Sequence, residues 1–167
     1  IISDSTNSLI NGYTPSENEA QQGLKNVISK SVGLIIITCF SSNVSRIKSI
    51  LEIARLSDKK VCVLGRAIKR SIEAASEVGI IDKNYSFYSI NEINKISKQK
   101  LIILSSGSQG EPNSALTRIA SGKIEKIQLD HRDTIIFSSK KIPGNERKIS
   151  RVEEMFLEKK ANIFNED

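Results

Sequence analysis

Gly33-Leu34-Ile35-Ile36-Ile37-Thr38-Cys39-Phe40 is the stretch whose reading decides the fold. It is apolar at successive positions, rich in β-branched residues and too short for a typical helix. That combination predicts a strand buried on both faces, as in a parallel sheet. Similar runs follow at Lys60 to Leu64, Lys100 to Ser105 and Thr134 to Ser138, and Ile1 to Ser3 reads as the tail of another strand.

Helical spacing fills the gaps between these runs. Val44, Ile47, Leu51 and Ala54 recur on one face, with Arg46, Lys48, Glu52 and Arg55 on the others. Upstream, Thr14, Pro15 and Glu17 predict a helix start, with an N-cap, a proline at the first helical position and a capping-box carboxylate, running to about Ser31. Further helices are predicted near Ala67 to Val78, Asn91 to Ser97, Ser114 to Ala120 and Asn145 to Lys159. Lys123 to Leu129 is expected to form an antiparallel edge strand before Thr134, and the irregular segment Gly79 to Ser89, with Tyr85, Phe87 and Tyr88, to hold a short strand. Strand and helix alternate throughout. The expected fold is α/β, a mainly parallel sheet with helices on both faces, in a single domain over residues 1–167.

Composition bounds the function less tightly. With 38% hydrophobic and 26% charged residues in a chain of 167, wholesale disorder is excluded. A net charge of +6 suits an acidic partner such as nucleic acid, and equally a basic surface with no partner. No apolar run approaches a membrane span and no secretion signal is recognisable, so no membrane partner and a cytoplasmic setting are expected. Cys39 and Cys62 sit far apart within apolar runs and read as buried free thiols. His131 is the only histidine, between Asp130 and Arg132 before a strand, and reads as part of a surface turn. A hydrolytic zinc site needs several clustered ligands, so this chain is expected to bind no metal itself. The glycine-rich fingerprints of ATP- and dinucleotide-binding proteins are absent.

In open α/β sheets ligands collect beyond the carboxyl ends of the strands, at loops that lead into helix N-termini. Four such loops combine hydroxyls, glycines and cations: Phe40-Ser41-Ser42-Asn43; Gly65-Arg66; Ser105 through Ser108, Gln109 and Gly110 to Pro112; and Ser138-Ser139-Lys140-Lys141 through Asn145 to Glu146. Such residues suit a phosphate, since small residues admit the backbone, hydroxyls donate and Arg66 or Lys140 adds charge. Each loop taken alone is better explained by helix capping and turn formation; together on one edge they favour an anion. Arg46, one turn into its helix, reads either as added charge or as a solvated position. Asp4, followed by Ser5, Thr6 and Asn7, reads either as a cap or as a carboxylate that orients a catalytic or metal-bound histidine.

Taken in order, Ser3-Asp4-Ser5-Thr6-Asn7, Gly12-Tyr13-Thr14-Pro15-Ser16-Glu17, Phe40-Ser41-Ser42-Asn43 with Arg46, Gly65-Arg66, Ser106-Gly107-Ser108-Gln109-Gly110-Glu111-Pro112 and Ile142-Pro143-Gly144-Asn145-Glu146 resemble the β-CASP domain of ribonuclease J over nearly the whole chain. The resemblance implies a domain excised from a larger protein, in which RNA runs between it and a metallo-β-lactamase domain to a two-zinc centre. It implies endonuclease and 5′ to 3′ exonuclease activity for that parent, which is expected to be a homo-oligomer. Asp4 would take a supporting catalytic role toward a histidine outside this chain. Phe40, Ser41, Ser42, Asn43, Arg46, Arg66, Ser108, Gln109, Lys140 and Asn145 are the expected RNA- and phosphate-binding residues, with Ser41 to Asn43 matching the loop associated with the terminal phosphate. The His-x-His-x-Asp-His signature is absent from the chain, so zinc is expected in the parent, and the chain alone is expected to be inactive. The Asp130-His131-Arg132-Asp133 turn departs from the family's more usual glycine-containing turn. The alternative is a nucleotide- or sugar-phosphate-binding α/β module unrelated to nucleases, and a third reading is an interaction domain whose loops merely cap helices.

Overall fold

The computed structural model describes residues 11–12 and 16–165. Among them are six strands, β1 (Ile35–Thr38), β2 (Lys60–Leu64), β3 (Phe87–Tyr88), β4 (Leu101–Ser105), β5 (Thr134–Phe137) and β6 (Asn162–Asn165). Five α-helices accompany them: α1 (Glu17–Lys30), α2 (Val44–Leu56), α3 (Arg66–Glu77), α4 (Ala115–Ala120) and α5 (Glu146–Glu158). The strands form one sheet in the order β3-β2-β4-β1-β5-β6, and every pairing is parallel.

The decisive apolar run supplies the centre of that sheet, where Ile35, Ile36 and Ile37 are all 0% exposed. Successive side chains of a strand point to opposite faces, so this one run feeds two cores. Ile35 and Ile37 pack with Leu24 and Ile28 of α1, Ile47 and Ile50 of α2 and Ile68 and Ile72 of α3. Leu34 and Ile36 pack with Leu116 and Ile119 of α4 and with Ile149, Val152 and Phe156 of α5. Each fully buried isoleucine contributes about 1.5–3 kcal/mol, which is why a continuous rather than alternating run is needed here.

The chain path follows from those two faces. From β1 it runs through α2, β2 and α3 to β3 at one edge, then returns to place β4 between β2 and β1. From β4 it runs through α4, β5 and α5 on the opposite face to β6. The neighbours β1 and β4 are therefore followed by helices on opposite faces, which opens a crevice beyond their carboxyl ends.

Several sequence expectations change. The first helix is capped by Ser16 with Glu19 completing the box, not by Thr14 and Glu17; Thr14 and Pro15 lie outside the described residues, as do the strand read at Ile1 to Ser3 and Asp4. Lys123 to Leu129 forms no strand. Both edges of β5 are already taken, by β1 and β6, and Ile124, Ile127 and Leu129 drop onto the second core instead. Asn91 to Ser97 gives only a short 3-10 turn, Ile93–Lys95, in which Ile93 alone is buried and offers an α-helix no apolar face; a second 3-10 turn follows at Lys98–Lys100. The short strand foreseen in Gly79 to Ser89 is β3. Cys39 and Cys62 are buried free thiols, and burial pushes the Cys62 thiol up to about 11.

Candidate functional site

Because the whole sheet is parallel, the loops after β1, β2, β4 and β5 all open on one edge. Three of them enclose a cleft of ≈ 1070 Å³ over the ends of β1, β2 and β4. Phe40 and Ser41 line it from the first loop, Gly65 and Arg66 from the second, and Ser106, Gly107 and Ser108 from the third. Its floor requires glycine. At Gly65 (φ +119°) a Cβ would lie 2.1 Å from Ser106 Oγ, and at Gly107 (φ +114°) it would lie 2.2 Å from Ser114 Oγ. At both positions a side chain would collide with a neighbouring serine, so the close packing of the loops under the cleft admits only glycine.

The walls carry the charge. Lys69 and Arg70 of α3 join Arg66 on one side, and Arg118 of α4 stands on the other. Among the described residues none of these four takes part in an ion pair. Two carboxylates share the cleft, Glu73 and Glu111, and Glu111 already accepts from the Gln109 backbone N–H at 3.1 Å. The start of α3 is poor helix design: Gly65 offers no side-chain cap and the first turn contains no acid. Cations at the positive end of a helix cost on the order of 0.3–1 kcal/mol each. By contrast α1 starts with a complete capping box and two acids, Glu17 and Glu19. A helix start with no acid in its first turn, facing a cleft lined by cations, has the chemistry to accept an anion.

The structure brings Phe40, Ser41, Arg66 and Ser108 together in this cleft and places the other expected residues elsewhere. Neither the Ser41 nor the Ser42 hydroxyl has a hydrogen-bond partner among the described residues, and Ser42 is exposed just outside the lining. Asn43 is a cap, its Oδ1 accepting from Arg46 N–H at 3.0 Å. Arg46 is neither solvated nor in the cleft: it is 6% exposed, donates from Nε to Glu17 at 2.8 Å and is bonded through Nη1 to the Ser138 carbonyl and hydroxyl. It ties α1, α2 and the loop after β5 together. Gln109, 5% exposed, also bridges loops. Lys140 is exposed on the fourth loop, and Asn145 precedes α5 with its Oδ1 accepting from Lys148. Asp4 lies outside the described residues.

Sequence reasoning missed Lys69, Arg70 and Arg118. The signal was present for the first two, since positions three and four beyond Arg66 share its helix face. No comparable local spacing links Arg118 to them; only the β4 crossover sets it opposite. Among the described residues no group of three or more His, Cys, Asp or Glu side chains could hold a metal. No described helix is long and apolar enough to cross a membrane.

Comparison with known proteins adds an independent line. Residues 32–156 match the family described as "Ribonuclease J, beta-CASP domain". The chain is 37% identical over 164 residues to a ribonuclease J of Sinorhizobium meliloti, covering 98% of this chain and 29% of that protein. It is 35% identical over 164 residues to a ribonuclease J of Helicobacter pylori, covering 98% of this chain and 24% of that protein. With ribonuclease J2 of Bacillus subtilis it shares 30% identity over 165 residues, 98% of this chain and 30% of that protein. The chain thus spans less than a third of the length of these relatives.

Proposed function

The chain belongs to the β-CASP domain family of ribonuclease J, and from that premise we propose that residues 1–167 are the RNA-holding β-CASP domain of a larger, cytoplasmic, homo-oligomeric ribonuclease. In that reading the parent protein hydrolyses RNA both internally and from the 5′ end, with zinc and a metallo-β-lactamase domain supplied outside this chain. The chain by itself holds RNA and does not cleave it. The described residues offer no ligand cluster for zinc, so no step assigned to them passes through a metal.

The carrying observation is the glycine-floored cleft with Arg66, Lys69 and Arg70 on one wall and Arg118 on the other, none of them ion-paired among the described residues. Phosphodiesters laid along the cleft meet guanidinium and ammonium groups from its walls. Ser41, with its hydroxyl uncommitted, adds a donor at the end of β1. The contribution to catalysis is positional: RNA fixed at a set distance from the reacting centre needs no acid or base from this domain.

Replacing Arg66, Lys69 and Arg70 together by Ala in the full-length protein should weaken binding of single-stranded RNA on the order of thirtyfold. The fold should be retained by circular dichroism. Wild-type affinity in that variant would sink the reading. The nucleotide- or sugar-phosphate-binding alternative is supported by the same cleft and would show as tight binding of mononucleotide without gain from longer RNA.

A further inference from the structure

Gln109 is unusual among the residues of the loop after β4. Its neighbours Ser106, Gly107, Ser108 and Glu111 line the cleft, but its own side chain turns away and is 5% exposed. The amide is fully used on the next loop: Nε2 donates to the Lys140 carbonyl at 3.0 Å, and Oε1 accepts from the Ile142 backbone N–H at 2.9 Å. The polarity of those two backbone groups fixes the amide's orientation, and a side chain that only donates or only accepts cannot satisfy both. Beside it, Gly110 (φ +69°) lies so close to α5 that a Cβ would be 2.6 Å from the Lys148 carbonyl. Glutamine therefore clamps the third loop onto the fourth, and glycine seats it against α5.

We propose that Gln109 is a positioning residue for RNA, holding Lys140 in fixed register with the cleft so that one RNA strand engages both. The inference rests on the RNA-holding reading of the cleft. Lys140 is exposed, outside the cleft lining, and takes part in no ion pair among the described residues. What ties the loop that carries it to the loop that forms the cleft is the Gln109 amide, whose bonds fall on the backbone of Lys140 itself and of Ile142. A cation on a slack loop contributes little to a polymer already bound next to it, because ordering the loop consumes what the contact gives. A cation on a clamped loop has that ordering settled in advance. The clamp thus extends the anionic footprint of the cleft by one pre-arranged charge.

A double-mutant cycle separates this role from mere support of the fold. In the full-length protein, wild type, Gln109→Ala, Lys140→Ala and the pair would be titrated against a single-stranded RNA made hydrolysis-resistant by phosphorothioate linkages, across a salt series. Each single substitution should weaken Kd about three- to fivefold and lower the salt slope by about one, and the pair should lose no more than the worse single. Gln109→Glu, which keeps the length and the acceptor but sets an anionic oxygen against the Lys140 carbonyl, should weaken binding at least as much as Gln109→Ala. Multiplying losses in the pair, or a Gln109→Ala protein that melts earlier yet keeps wild-type Kd and slope, would overturn the proposal. Parallel titration of the Arg66, Lys69 and Arg70 variant tells the two ideas apart. If that variant binds as wild type, the cleft reading has failed and the clamp falls with it; if it is weakened while the cycle is additive, only the clamp is wrong.

Discussion

The amino end of the sheet and the cleft at its carboxyl end treat their charges in opposite ways. At the amino end Lys98 meets Asp130 at 3.0 Å and the fully buried Asp133 at 2.9 Å, Arg132 meets Asp130 at 3.0 Å, and Lys60 and Lys100 converge on Asp58. Asp133 also accepts from the backbone N–H groups of Leu34 at 2.8 Å and Asp130 at 2.8 Å, so it fastens β1 and the turn before β5 at once. At the carboxyl end Arg66, Lys69, Arg70 and Arg118 face a cleft with no such partners among the described residues. Similar side chains thus stabilise the amino end and stand unpaired among the described residues in the cleft, while Arg46 with Glu17 and Lys141 with Glu153 are paired elsewhere at the carboxyl end. Unpaired cations in a cleft are what the proposed RNA-holding role calls for, since a polyanion would supply the missing partners.

The contrast is open to attack from either side. The largest effect should come from Asp133→Ala, which strands the Leu34 N–H and removes the buried partner of Lys98. A loss of about 1–3 kcal/mol in urea unfolding is expected, with RNA affinity unchanged wherever the protein is still folded. A loss of affinity in the folded variant would show that the amino end also serves binding. Next, Ser41→Ala with Ser42→Ala should slow nucleotide removal from 5′-monophosphorylated RNA by the full-length protein about tenfold to a hundredfold, largely sparing internal cleavage. Equal losses in both activities would make this loop a general support.

The smallest effect concerns Asp130. Hydrogen bonds from Arg132, with Lys98 adding, hold its carboxyl well below its ordinary value of 3.8. A depressed carboxyl stabilises the fold above the unfolded-state value and loses that contribution as pH falls through the folded one. Asp130→Asn should therefore lower the urea midpoint slightly at pH 7, with the gap to wild type closing as pH drops below 3.8. A gap that persists into acid would mean the turn depends on shape, not charge.

How much of this was readable in advance depends on the range of the interactions. The buried run at Leu34 to Ile37 announced the parallel sheet because burial on both faces leaves a continuous apolar string. The four loops followed at one edge because parallel strands all end there. Arg46 and Gln109 were misplaced for the converse reason. Their partners, Glu17 with Ser138 and Lys140 with Ile142, lie 29 or more residues away, and nothing local reveals that a cation or amide is already committed. Edge strand β6, short and flanked by asparagines, lacked the apolar signal that only a central strand must carry. The cap at Ser16 was misread because Thr14-Pro15 offers an equally good local pattern two residues earlier.

The most direct test sets the two ends against each other at equal charge. In the full-length protein, Arg66, Lys69 and Arg70 would be replaced by Ala in one variant and Lys59, Lys60 and Lys100 in another, each removing three positive charges. RNA affinity would be followed from low to high salt. The carboxyl-end variant should show a log–log salt slope shallower by about two, with thermal stability unchanged or slightly raised as the start of α3 loses its unfavourable cations. The amino-end variant should keep a slope near wild type and lose stability. Equal reductions in slope for both would mean that RNA responds only to net charge, and would contradict the assignment of the cleft.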